Sequence, residues 1–76
     1  MKLKVNIDTE SAAARLVGLA TKLNEPVYLT DGANMRVSAK SMLGAVYATM
    51  DFNEVWIETE NDHYYMFKEF ASEVGV

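Results

Sequence analysis

Cysteine is missing from this chain, and histidine and proline occur once each. Without cysteine there are no disulfides, no thiolate metal ligands and no thiol nucleophile. The one histidine, His63, cannot build a metal site without several carboxylate partners. Basic residues are also scarce: seven Lys and Arg against eleven Asp and Glu give a net charge of −4, and the seven are scattered. Phosphate contacts need clustered cations, which argues against nucleic acid as a partner. A basic membrane-surface helix is disfavoured for the same reason. No apolar run is long enough to cross a bilayer. The opening MKLKVNIDTE alternates instead of forming an apolar block, so no signal peptide is expected. These absences fit a cytoplasmic protein. Long polar tracts are lacking too: half of the 76 residues are hydrophobic, which argues against disorder. The length implies one domain, residues 1–76, whose small core must be well made.

What is present reads as alternating strands and striped helices. In KLKVNI, Leu3, Val5 and Ile7 point one way and Lys2, Lys4 and Asn6 the other, the mark of a half-buried strand. DTESAAARLVGLATKLN follows, with Ala13, Leu16, Val17, Ala20 and Leu23 on one helical stripe. Asp8 or Thr9 caps its start, Glu10 complements the helix dipole, and Asn24 and Pro26 end it. PVYLT is a second strand with Val27 and Leu29 inward, DGAN a turn, and MRVSA a third strand with Met35 and Val37 inward. A second helix spans roughly residues 40–50. NEVWIETE is a fourth strand with Val55 and Ile57 inward and Trp56 outward. NDHYYMFKEFASEVG reads as one closing helix, capped by Asn61 or Asp62 and ended by Gly75, with Tyr64, Phe67, Ala71 and Val74 on its stripe. The order β-α-β-β-α-β-α is expected to give a two-layer α+β sandwich: a four-stranded sheet with helices on one face. No linker, repeat or low-complexity segment interrupts it.

The stretch VSAKSMLGAVYATM, followed by EVWIETE in this element order, resembles the HPr family, the small phosphocarrier proteins of the bacterial sugar phosphotransferase system. AKSMLG stands where that family carries a regulatory motif between its hairpin and second helix. The resemblance implies an antiparallel sheet of order 1-4-2-3. It also implies that Ser41 is the target of an ATP-dependent regulatory kinase. Met42, Leu43 and Val46, with Lys40 beside them, correspond to a docking patch for proteins of the transport system or for a transcription regulator. A phosphate on Ser41 would meet free N–H groups and the positive end of a helix, with no acid nearby to repel it. The plain alternative stands beside this one: serine is a common helix cap, and Met42, Leu43 and Val46 can be core.

The family's other motif, GLHARPAA, corresponds here to DTESAAARLV. Thr9 occupies the histidine position, Ser11 the arginine position and Ala12 the proline position. A hydroxyl needs a nearby base to act as a nucleophile, and the arginine partner for a phosphoryl group is gone. The resemblance therefore implies a protein-binding regulator without histidine phosphocarrier activity. The alternatives are a carrier using Thr9 or Ser11, or a purely structural domain.

Other residues add less. His63 reads as a solvated helix-start histidine. Glu54, Glu58, Glu60 and Asp62 read as a solvated face, since an open sheet offers no pocket to shift a carboxylate. Trp56, near Tyr28 on the open face, is either cross-strand packing or the anchor of a weak homodimer. No nucleophile–base pair, metal cluster or phosphate loop suggests independent catalysis, and no cofactor is implied.

Overall fold

In a computed structural model that describes residues 1–72, the chain folds as β1 (Lys2–Val5), α1 (Glu10–Ala20), β2 (Tyr28–Thr30), β3 (Arg36–Ser38), α2 (Met42–Asp51), β4 (Val55–Glu58) and α3 (Tyr64–Phe67). A 3-10 turn, Lys68–Phe70, continues α3. The four strands form one antiparallel sheet of order β1-β4-β2-β3. Val5, Leu29, Val55 and Ile57 line its inner face and share one core with Leu16, Ala45, Ala48 and Phe67 from the helices. The architecture is thus an α+β open-faced sandwich. Among the described residues no helix is long and apolar enough to cross a membrane.

Several boundaries differ from the expectation, each for a local reason. β1 stops at Val5, where pairing with Val55 ends. The next N–H, of Asn6, turns to the Phe70 carbonyl at 2.8 Å, yet Ile7 remains buried. Thr9, and not Asp8, caps α1: its hydroxyl accepts from the Ala12 N–H at 3.0 Å. The helix ends before Asn24 because the chain tightens into shorter turns, Lys22 N–H to Leu19 and Leu23 N–H to Ala20. Met35 was expected inward but is 42% exposed. The Asp31 carboxylate accepts from the N–H groups of Ala33 and Met35, which keeps Met35 in the turn and delays β3 to Arg36. Gly32, at φ +82°, supplies the left-handed residue that this turn needs.

The closing helix is much shorter than its stripe implied. After Phe70 the chain extends along the free edge of β1: Ala71 bridges Val5, and the Ser72 N–H donates to the Lys4 carbonyl at 2.9 Å. Sheet hydrogen bonds replace helical ones there, so Ala71 leaves the stripe and Tyr64 is 45% exposed, while both Phe67 and Phe70 are buried. Neither expected residue is the cap: His63 holds that position without a side-chain bond, while Asp62, one residue earlier, accepts from the Tyr64 N–H at 2.9 Å. Asn61 instead holds Glu25. Val74 and Gly75 lie outside the described residues.

Candidate protein-docking site

The approach to α2 is fixed before the helix begins. The Ala39 N–H donates to the Val27 carbonyl at 2.8 Å, and the Lys40 N–H to the Ser38 hydroxyl at 3.1 Å. Ser41 is extended (φ −108°, ψ 123°) and its hydroxyl accepts from the Gly44 N–H at 3.2 Å. Gly44 lets the helix lie against β3: a Cβ there would stand 2.8 Å from the Ser38 carbonyl oxygen. With Ala45 and Ala48 fully buried, the helix faces the core through small side chains and turns its large ones outward. Leu43 is 82% exposed, Met50 78% and Tyr47 40%. They follow i, i+4, i+7 spacing and form one stripe, which Met42 and Val46 flank, half-buried.

This geometry brings Ser41, Met42, Leu43 and Val46 together at one end of α2. Lys40 departs from the group: its ammonium donates to the Leu23 carbonyl at 2.7 Å and is tied back to the chain after α1. Tyr47 and Met50 were missed from the sequence, although helical spacing counted on from Leu43 finds both. The Tyr47 ring meets Phe52 edge-on at 5.9 Å. A hydrogen bond with Asp51 and that residue's negative charge raise its phenol above the ordinary value of 10.0.

Beside the stripe, the start of α1 and the second half of α2 enclose a groove of about 340 Å³. Ile7, Ala13, Val46 and Met50 supply its apolar lining. Asp8, Thr9 and Glu10 form its rim on the α1 side and Thr49 on the other. Thr9 is occupied as the α1 cap and stands between two carboxylates, which oppose a phosphoryl group on its hydroxyl.

Two other regions are satisfied within the chain. On the open sheet face Trp56 donates its indole N–H to Glu54 at 2.9 Å and lies under the Lys2 ammonium, 5.7 Å from the ring centre. Tyr28 takes the Arg36 guanidinium at 4.7 Å, and Arg36 also pairs with Glu58 at 3.1 Å. Each ring thus has its own cation. His63, expected to be solvated, is half-buried, with Nε2 3.1 Å from a Glu25 carboxylate oxygen. Glu25 also accepts from the backbone and side-chain N–H groups of Asn61. These bonds, the Asn61 side chain foremost, hold the Glu25 carboxyl below its ordinary 4.5.

No family model, curated protein or solved structure matches the chain.

Proposed function

We propose that this chain is a regulatory protein-binding module of HPr-like form, cytoplasmic and associated with a phosphoenolpyruvate-dependent sugar phosphotransferase system. It docks on partner proteins through α2 and carries no phosphate on histidine. One observation carries the reading: a ten-residue helix that turns Leu43, Tyr47 and Met50 to solvent while burying only alanines. A contiguous apolar face on a small soluble chain is a signature of an interaction surface. Ser41 stands at the edge of that face. Transfer of the ATP γ-phosphoryl group to its hydroxyl would set two negative charges on free helix N–H groups and beside Leu43, changing which partners dock.

Two measurements test this. The first is intact mass after incubation with ATP and an HPr serine kinase. A gain of one phosphoryl group that Ser41→Ala lacks is expected; no gain would leave Ser41 as a cap only. The second is capture of enzyme I or a sugar-responsive transcription regulator by the immobilised chain. Leu43→Asp and Met50→Asp should abolish capture, and unchanged capture by both variants would remove the docking face.

A further inference from the structure

Building on that docking face, we infer that its partner presents a basic amphipathic segment: an apolar side chain for the groove, flanked by Lys or Arg. The groove beside α2 has an apolar floor of Ile7, Ala13, Val46 and Met50, the concave lining into which an anchor side chain packs. Its hydroxyls are already engaged, Thr9 with the Ala12 N–H and Thr49 with the Val46 carbonyl. The charged groups left for an occupant are the carboxylates of Asp8 and Glu10.

Charge pairing among the described residues leaves this rim open, as it also leaves Asp31, Glu60 and Asp62, of which Asp31 and Asp62 accept backbone N–H groups instead. Glu25, Glu54, Glu58 and Glu69 each hold a basic side chain of the chain itself. Asp8 and Glu10 of the rim hold none among the described residues; nor does Asp51, which lies outside the groove at the end of α2 and is hydrogen-bonded to Tyr47. Asp51 also closes α2, where the helix's own partial negative charge opposes an acid, and the last turn has no basic residue to offset it. A cation brought by a partner relieves both conditions. An acidic or phosphorylated segment would meet the two like charges of Asp8 and Glu10 at the groove. Apolar floor and acidic rim therefore select one partner chemistry, and the rim also speeds encounter by long-range attraction.

The test is a selection of displayed twelve-residue peptides on the folded, immobilised chain, followed by titration of synthetic versions of the enriched sequences. Enriched peptides should combine one large apolar residue with two or more Lys or Arg. Their affinity should fall roughly fivefold to tenfold in Asp8→Asn/Glu10→Gln, the order expected for losing two exposed charge pairs, and should weaken with added salt. Thermal midpoints of both proteins establish that the variant is folded; salt dependence of the unaltered chain gives a second reading free of substitution. Enrichment of acidic or uncharged peptides, or failure to enrich any, overturns the basic partner. So does binding that ignores both salt and the paired substitution while still failing in Leu43→Asp, although the docking face itself then survives. Binding that also ignores Leu43→Asp and Met50→Asp removes the face as well.

Discussion

Two glycines in helices have opposite roles. Gly44 lies where α2 crosses β3, and a methyl group there would stand 2.8 Å from a backbone oxygen that cannot swing away. Gly18 in α1 has nothing within 4 Å of the same added atom. Gly44→Ala should therefore destabilise the fold by about 1–3 kcal/mol, the usual range for overpacking. Gly18→Ala should stabilise it by about 0.5–1 kcal/mol through helix propensity alone. Urea denaturation of the two variants reads both signs. Ser41 admits a similar contrast: Ser41→Ala should cost about 1 kcal/mol, whereas Ser41→Asp keeps an acceptor for the Gly44 N–H and should cost little. The sequence motif places a serine and a glycine three residues apart, and the serine's capping role can be read from that spacing. The glycine's reason cannot, because it depends on how closely a strand from earlier in the chain approaches.

Pairings between elements decide what the sequence leaves open. Val55 and Ile57 alternate and are buried, as a period of two requires, whereas the closing helix could not be bounded from its stripe. Tyr64, Phe67 and Ala71 sit at helical spacing, but the free edge of β1 offers Ala71 and Ser72 hydrogen bonds that spacing says nothing about. His63 was misjudged for the same reason: its partner Glu25 lies 38 residues away. That cluster joins the turn after α1 to the approach to α3 and gives a pH dependence of definite sign. The folded state binds a proton on Glu25 less readily than the unfolded chain does. The stability it contributes is fully present above 4.5 and is lost as pH falls through its lower folded value. Asp31, held down by the N–H groups of Ala33 and Met35, acts likewise below 3.8. Denaturation midpoints should fall on acidification below these values, and Glu25→Gln should make the decline shallower. Packing at the same end gives a larger contrast: Phe67→Ala should cost about 3–5 kcal/mol, whereas exposed Tyr65→Ala should stay within about 0.5 kcal/mol.

At the level of the whole molecule, the two broad surfaces differ in kind. The open sheet face closes its charges on itself, Lys4 with Glu54 and Arg36 with Glu58. The α2 face leaves Leu43 and Met50 exposed, and at the groove beside it Asp8 and Glu10 hold no basic side chain among the described residues. Leu43→Asp, which places its charge in the first turn of α2, should accordingly change stability by no more than about 0.5 kcal/mol while abolishing partner capture, a separation that calorimetry and binding together will read. The layered architecture was legible because strand alternation and helix stripes agree on one buried side. The strand order was reached through resemblance, since alternation alone is silent on which strands are neighbours.

That order has a consequence for how the chain reaches its shape. β1 lies beside β4 and the bridge at Ala71, and every strand partner it has is fifty or more residues downstream. The hairpin of β2 and β3 closes over a short turn, but the first strand made during synthesis must wait with both edges bare until β4 and then residues 70–72 emerge. Loop closure over such a separation is slow, which makes β1 a late-docking element and its exposed Leu3 and Val5 an aggregation hazard in unfinished chains. A chain cut after residue 60 should accordingly be far less soluble than one that retains Phe67, Phe70 and the strand-edge bonds that follow them.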